Sequence, residues 1–244
     1  MIKLFMQTRE IISSQFKYLN NNFKEYFNIF IPLILLWIIN YLAWIYPSNF
    51  FSSIFNNNIF ILPFIIGLIS ALYSFRVVVN IHRLVILNEP HDYYAINKRF
   101  KETILYIVYT IIMFLVLFLP MLLLLFLSII PFMGFLTIPI IIFWTLMAFP
   151  FFALNLPMAA IGKKVLFFKM FQMSKGFRLT LFLQMLCFYI VNFFGNLILF
   201  FILTPILNIH LTSLITYFMY AYLLALYISC LSKTYILWEQ NYKK

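Results

Sequence analysis

The sequence predicts an all-α membrane protein with six transmembrane helices arranged as three hairpins. The first observation is composition: 65% of the 244 residues are hydrophobic and only 9% are charged, against about 25% charged in typical soluble domains. The second is charge segregation, because three long stretches contain no Lys, Arg, Asp or Glu. One crossing takes about 20 apolar residues, so each stretch has the length of two helices and a turn. The stretches are Tyr26–Phe75, Thr103–Gly162 and Leu179–Ser232.

Within the three stretches, apolar runs separated by short uncharged turns place the individual spans. Helices are the expected conformation because lipid offers no hydrogen-bond partner to the backbone. The spans are predicted near residues 27–46, 58–81, 104–127, 132–153, 179–204 and 211–233. We treat residues 1–244 as a single polytopic membrane domain.

The charged residues flank the spans on one side only, which predicts the orientation. The net charge is +11, and Lys and Arg near spans mark the cytoplasmic side. We therefore expect a multi-pass protein of the bacterial cytoplasmic (inner) membrane with both termini in the cytoplasm. The cations favour anionic membrane lipid as a partner and not nucleic acid.

Cytoplasmic segments before the hairpins show amphipathic patterns that are typical of helices lying on a membrane surface. The first such segment has apolar residues three or four positions apart, with Lys17 and Lys24 off that face. A second is predicted around Val165–Met173 and a third around Tyr93–Phe100. The predicted apolar face of the first comprises Ile12, Phe16, Leu19, Phe23 and Tyr26.

A short pattern recurs before the first, third and fifth spans: Asn or Ser, two residues, Phe, then a cation. The three copies are Asn20–Lys24, Asn97–Lys101 and Ser174–Arg178, and their Phe residues are 77 positions apart both times. Asn and Ser accept hydrogen bonds from free amides at helix starts, which predicts that each motif caps the following helix. We interpret this as a three-fold repeat of residues 5–81, 82–158 and 159–235; coincidence among similar membrane-entering segments is the alternative.

Three polar residues form a stripe at the inner end of the second span, and they are the candidate binding site. Arg76, Asn80 and Arg83 are spaced i, i+4 and i+7, so they share a helix face. The functional interpretation is a site for a lipid headgroup or another anion. The alternatives are arginines that extend to the membrane surface, or a pair with Glu89 after a turn at Pro90.

Other polar residues carry weaker signals. Asn40, Asn192 and Asn196 are interpreted as interhelical hydrogen-bonding residues, with the lining of a polar pathway as the alternative. Two ridges of small residues predict helix-packing faces. Prolines in spans 3 and 4 either break those helices for function or are tolerated by neighbouring helices. The ridges are Gly67, Ala71 and Ser74, and Ala221, Ala225 and Ser229; the prolines are Pro120, Pro139, Pro150 and Pro157.

No catalytic constellation is evident in the sequence, and no cofactor or metal site is predicted. There is no Gly-rich phosphate loop, nucleophile elbow or pair of carboxylates within a span. Glu89, His91 and Asp92 are of metal-binding types, but their spacing favours a solvated turn.

Four segments carry a family resemblance. Ile81–Glu89 resembles the His-Arg, apolar run, Glu segment of uncharacterised bacterial six-span membrane proteins. Leu156–Ala159 followed by Ser174–Arg178 is similar to their "LPA … SxGxxW/R" connection, and Ser232–Tyr235 to their final Ser-x-x-Tyr. These proteins in turn resemble the membrane domain fused to some glycerophosphodiester phosphodiesterases. The resemblance implies a six-span fold and no settled activity.

The sequence thus favours a non-enzymatic membrane scaffold that engages anionic lipid. Such a scaffold is compatible with a protein partner or with a homo-oligomer. The alternative is a small transporter or permease subunit with a polar cavity bordered by Arg76, Asn80, Asn192 and Asn196. A lipid-active enzyme, suggested only by the family resemblance, would depend on His82 or Glu89.

Overall fold

The chain folds as helices, and no strand occurs in the part of it that is described. A computed structural model describes residues 2–45, 61–90, 99–127, 137, 139–140, 144, 148–164, 169, 171, 174–207 and 209–242. The helices are α1 (Ile2–Asn21), α2 (Phe23–Ile45), α3 (Ile61–Leu87), α4 (Phe100–Leu127), α5 (Asn155–Ala160), α6 (Arg178–Ile198), a π-helix (Leu199–Leu203), α7 (Thr204–Leu207) and α8 (Ile209–Tyr242).

Five of the described helices are long and apolar enough to cross a membrane, which confirms the all-α membrane class. They are Phe23–Ala43, Leu62–Leu87, Phe100–Pro120, Arg178–Ile202 and Leu211–Asn241. The predicted fourth span at 132–153 falls largely outside the described residues; its inner end belongs to a shorter apolar helical segment, Ala148–Ala160. The count of six spans therefore stays a prediction.

The second and last spans extend beyond their predicted inner ends. The second was expected to end at residue 81, but α3 continues to Leu87, and α8 continues to Tyr242 instead of ending at 233. α3 continues past residue 81 because the polar residues that follow are satisfied inside the protein: His82 Nδ1 lies 2.7 Å from Ser232 Oγ, and Arg83 donates to Glu89.

α8 is the central helix of the bundle and packs against α1, α2, α3 and α6. Its ridge of Ala221, Ala225 and Ser229 is buried as predicted. The predicted ridge on α3 is wrong at Ala71, which is exposed, while Ser70 next to it is buried. Small residues let helix backbones approach closely, and the ridge on α8 does so at the centre of the bundle.

Three interhelical hydrogen bonds attach the C-terminal half of α8 to its neighbours. Their donors and acceptors are buried, and such bonds average about 0.6 kcal/mol each within membranes. They join Tyr26 Oη to Ser229 Oγ at 2.7 Å, His82 Nδ1 to Ser232 Oγ at 2.7 Å, and Gln184 Nε2 to Thr234 Oγ1 at 2.9 Å.

The first amphipathic segment is a helix, but its buried face differs from the predicted one. The predicted membrane-surface face divides: Leu19 and Tyr26 are buried inside the bundle, whereas Phe16 is 46% and Phe23 is 53% exposed. α1 packs against α6 and α8. The buried residues are instead Thr8, Ile11, Gln15 and Leu19. α1 therefore packs on the bundle through a face that includes polar Thr8 and Gln15, and Phe16 stays on the outward face.

The predicted side-chain caps do not form where the structure describes them. α6 begins without a side-chain cap, because Ser174 Oγ donates to the carbonyl of Phe151 at 3.1 Å instead. Asn20 Oδ1 accepts a hydrogen bond from Tyr222, and Asn97 lies outside the described residues. The helices nonetheless begin at Phe23, Phe100 and Arg178, which are equivalent motif positions to within one residue.

The prolines act differently along the chain. Pro120 lies inside α4, which continues through it. Pro157 lacks an amide proton for the carbonyl of Ala153, which accepts from Leu156 N instead, and the chain turns at residues 153–154. Pro205 follows the π-helix Leu199–Leu203. A wider turn there keeps the proline ring clear of the preceding carbonyl groups.

Two left-handed residues shape the loops at the charged end of the bundle. Asn88 ends α3 with φ of 54°, a conformation that Asn tolerates, and the chain then places Glu89 beside α3. Gly162 follows α5 with φ of 76°. The amide of Gly162 donates to Ala159 and that of Lys163 to Met158, both at 3.0 Å. This pattern is a Schellman motif.

Candidate functional site: a polar cluster at the charged end of the bundle

Arg83 is the centre of a polar cluster built from α3, α4, α5 and the loop after α3. Its Nε and Nη2 donate to the two carboxylate oxygens of Glu89 at 2.8 and 2.9 Å. Its Nη1 donates to the carbonyl of Ala160 at 3.3 Å and lies 3.7 Å from Glu102 Oε1. The bidentate geometry fixes the guanidinium plane, so Arg83 holds three parts of the chain together.

Arg99 completes this Arg83 cluster, which comprises Asn80, Arg83, Glu89, Arg99 and Glu102. Its Nη1 donates to Asn80 Oδ1 at 2.6 Å, and its Nη2 to Glu89 Oε2 at 3.3 Å. Both arginine side chains are only 13% exposed. Two cations face two carboxylates, so the cluster is neutral overall. Glu89 is engaged by both arginines, whereas Glu102 Oε2 is buried without a hydrogen-bond partner among the described residues.

The predicted stripe on α3 therefore divides into two parts. Asn80 and Arg83 join the Arg83 cluster, and the ion pair with Glu89 is the geometry that Arg83 adopts. Arg76 is half-buried and makes no ion pair with any described residue. Leu72, one turn before Arg76, is exposed. Arg76 thus lies where the exposed apolar face of α3 meets its polar end.

His82 is fully buried beside the cluster. Its Nδ1 lies 2.7 Å from Ser232 Oγ, and Ser232 Oγ donates to the carbonyl of Ile228 at 2.8 Å. Since the serine proton is used there, Nδ1 is assigned as the donor and Nε2 as an acceptor. Within the described residues Nε2 is buried without a partner, and the Tyr106 ring lies 5.7 Å away.

Three of the four segments that carry the family resemblance meet at this place. His82 meets Ser232, and Arg83 meets Ala160, directly after Leu156–Ala159. Lys163 Nζ donates to Tyr235 Oη at 3.3 Å and to Glu239. Partial burial alone would lower the pKa of Lys163, but these hydrogen bonds raise it above its ordinary value. Motifs far apart in sequence thus form one contiguous polar region.

Arg178, the last residue of the third motif copy, lies against a stacked pair of aromatic rings. Its guanidinium carbon is 4.1 Å from the centre of the Phe151 ring and 4.5 Å from that of Phe171. Its side chain also donates to the carbonyl of Phe171. The cation is therefore held by stacking and hydrogen bonding, which links the start of α6 to the segment before α5.

Two cavities lie further along the bundle, away from the charged end. The first, of about 500 Å³, lies between α4, α6 and α8, with Phe149 on one wall. The second, of about 490 Å³, lies between the end of α6, the π-helix, α7 and the start of α8. No charged residue occurs among the described residues of either wall.

Two of the three predicted asparagines border these cavities and connect them; Asn40 borders neither, and its Oδ1 has no hydrogen-bond partner among the described residues. Asn192 borders the first and Asn196 the second. Asn196 Nδ2 lies 3.2 Å from both Asn192 Oδ1 and Tyr220 Oη, so it does join α6 to α8. Sequence reasoning missed the hydroxyl groups of the second cavity. The i, i+4 spacing of Thr212 and Thr216 is the sequence signal that could have indicated them. They belong to Thr204, Thr212, Ser213 and Thr216.

No protein-family model, curated protein or solved structure matches this chain.

The titratable side chains of the Arg83 cluster and of His82 are paired with one another or buried. No group of three His, Cys, Asp or Glu side chains able to hold a metal occurs among the described residues; His91 and Asp92 lie outside them. Glu89 is engaged by two arginines. His82 and Ser232 are both buried, with no exposure to a substrate.

Proposed function

We propose that the protein is a non-enzymatic scaffold of the bacterial cytoplasmic membrane that engages anionic lipid at the charged end of its bundle. The observation that carries the proposal is the position of Arg76. It lies on α3 between the exposed apolar face and the Arg83 cluster, and no described residue neutralises its charge.

The face of α3 before Arg76 offers an exposed apolar surface to a lipid chain. Its exposed apolar residues recur every three or four positions, so they form a continuous strip along the helix. A chain on this strip would bring its phosphate to Arg76, whose guanidinium can bind phosphate through two parallel hydrogen bonds. The strip consists of Phe64, Ile65, Leu68, Ile69 and Leu72.

α1 supports the same function at a second place. One face packs on α6 and α8, while the outward face carries exposed Arg9 and Lys17 together with exposed Phe5 and Phe16. Basic and aromatic residues on one helix favour an anionic membrane surface, at about 1 kcal/mol per cation near the headgroups. With one face packed on the bundle and the other facing the headgroups, α1 would hold the protein at the membrane surface as a scaffold.

Substitution of Arg76 tests the proposal. Full-length protein is purified from a bilayer containing phosphatidylglycerol, and bound lipid is counted by native mass spectrometry. Arg76→Ala should remove phosphatidylglycerol while the fold survives. Arg76→Lys should bind less than the wild type, because a point charge loses the bidentate geometry.

The matched control is Lys101→Ala, which removes the same charge from an exposed position at the start of α4. It should leave occupancy close to that of the wild type. Equal occupancy in wild type, Arg76→Ala and Arg76→Lys would sink the headgroup site and leave Arg76 as a residue that only extends to the membrane surface.

The transporter alternative draws support from one observation, since Asn192 and Asn196 do border cavities. Arg76 and Asn80 do not border either of them, and Asn80 is engaged by Arg99. Apolar and aromatic side chains dominate the wall of the first cavity. The walls therefore suit a lipophilic molecule better than a hydrated solute.

A further inference from the structure

The two cavities are neighbours, and a hydrogen-bonded junction of polar side chains separates them. Asn196 borders the second cavity and makes hydrogen bonds to Asn192 and Tyr220, which border the first. Each cavity falls in the range of about 300–1,000 Å³ that is typical of ligand sites. Together they run along α6 and α8, from an apolar chamber to one rich in hydroxyl groups.

The apolar chamber opens towards the surface that faces lipid. Among its lining residues, Phe114 is 56%, Tyr189 57% and Tyr220 41% exposed. These residues lie on the long apolar helices α4, α6 and α8. The chamber is therefore continuous with the protein–lipid boundary, and a bilayer lipid reaches it without passing through water.

Unused hydrogen-bonding groups line the junction. Asn192 Oδ1 accepts from Asn196, and none of the described residues accepts from Asn192 Nδ2. The Tyr220 oxygen accepts from Asn196, so its own proton is available. An unsatisfied amide in an apolar environment is costly, and these two donors suit a carbonyl or ester oxygen.

The second chamber offers mainly acceptors. Thr204 Oγ1 donates to the carbonyl of Leu199 at 3.2 Å, and Thr216 Oγ1 donates to that of Thr212 at 2.8 Å. Their protons are used, which leaves lone pairs for a donor such as a hydroxyl group. The π-helix Leu199–Leu203 contributes Leu199 and Phe200 to this wall, and such irregular turns are frequent at functional sites.

We infer that this pair of cavities binds an uncharged lipid with a hydroxyl-bearing head, of the diacylglycerol class. One acyl chain occupies the apolar chamber, an ester carbonyl accepts from Asn192 and Tyr220, and the head hydroxyl donates to Thr204 or Thr216. A charged head is disfavoured because no described wall residue carries a charge. The site is distinct from Arg76, which borders neither cavity.

Filling the apolar chamber gives the first test. Full-length protein in an uncharged detergent is incubated with dioleoylglycerol or dioleoylphosphatidylglycerol, and bound lipid is measured by native mass spectrometry. Leu117→Trp places a large ring into the chamber and should lower diacylglycerol occupancy about tenfold. Leu115→Trp makes the same change two residues away at an exposed position outside the wall, and it should leave occupancy unchanged.

Removing the donor gives a second test that does not depend on Leu117→Trp folding. Asn192→Leu should lower diacylglycerol occupancy by about three- to tenfold, the effect of one lost hydrogen bond in an apolar site. Asn40→Leu, an amide on α2 away from both cavities, is the control and should retain the lipid.

Three results would overturn the inference: no diacylglycerol bound by the wild type, equal loss in the two Trp variants, or phosphatidylglycerol binding that Leu117→Trp abolishes. The same measurement tests the phosphatidylglycerol site at Arg76 independently of the diacylglycerol site. Arg76→Ala should remove phosphatidylglycerol while leaving diacylglycerol in place.

Discussion

Individual polar residues near the ends of the spans are used for internal contacts in this protein. Arg83 and Arg99 share Glu89, and Asn80 accepts from Arg99. Spacing predicted that Arg76, Asn80 and Arg83 share a face, and this level of inference is reliable because helical periodicity is fixed. Arg99 was not predicted in the cluster, because its contact depends on how the chain returns after Pro90.

The contact between His82 and Ser232 illustrates a second limit of sequence reasoning. The two residues are 150 positions apart, and each belongs to a motif that carries the family resemblance. No local pattern indicates that they meet, since this requires the relative placement of α3 and α8. Because both residues are buried, we expect their contact to stabilise the fold.

Removing one partner of that contact should destabilise the protein. Ser232→Ala leaves His82 Nδ1 buried without its acceptor, at a cost of about 1–3 kcal/mol. The apparent Tm in detergent, read by fluorescence of the four tryptophans, should fall. The double change His82→Phe with Ser232→Ala should recover most of the loss, because no polar group is then left unpaired. If the double variant is less stable than Ser232→Ala, the histidine has a role beyond this hydrogen bond.

At the scale of elements, helix starts were predicted better than helix faces. The recurring motif placed the starts of α2, α4 and α6 to within a residue. The predicted caps failed at Ser174, since its hydroxyl contacts Phe151 in another segment. The face of α1 that packs on the bundle was not predicted, because it includes polar Thr8 and Gln15, which an apolar pattern does not indicate. The three-fold repeat stays a prediction, supported by the helix starts.

The loop after α5 gives an element-scale prediction. Gly162 has φ of 76° and ends α5 through the Schellman motif. Gly162→Ala should therefore lower stability by about 1–2 kcal/mol, the cost of a left-handed residue with a Cβ atom. It should also weaken the contacts of Arg83 with Ala160 and of Lys163 with Glu239, which follow from that turn.

Gly176→Ala is the matched control for that change. Gly176 is exposed, and a Cβ atom there would meet nothing within 4 Å. The two variants are compared by apparent Tm in the same detergent. Equal stability of the two would show that the left-handed turn contributes nothing to the fold.

In the whole molecule, the start of α2 and the last half of α8 lie at the same end of the bundle. Tyr26, near the start of α2, contacts Ser229 in the last half of α8. His82, near the end of α3, contacts Ser232. A chain that enters and leaves the membrane at the same end of the bundle crosses it an even number of times. Five crossings, the number of spanning helices that are described, would instead place the two termini on opposite sides.

Cysteine labelling decides between these two topologies. In a background of Cys187→Ser, since Cys187 is exposed and Cys230 is buried, single cysteines are introduced for reaction with an impermeant thiol reagent added outside intact cells. Six crossings with inner termini predict labelling at Ser52, Ser128 and Asn208, which lie outside the described residues. They predict protection at the exposed positions Asn21, Lys101 and Lys175, with labelling only after the cells are opened.

The decisive pair in this experiment is Asn21 and Lys175, because the chain between them contains the predicted fourth span. If that segment crosses the membrane, four crossings separate the two positions and both are protected. If it does not, three crossings separate them, and one of the two is labelled from outside. Opposite behaviour of these cysteines would refute the six-span arrangement. It would also remove the basis for placing all the cations on the cytoplasmic side, since charge segregation would then no longer follow the positive-inside rule.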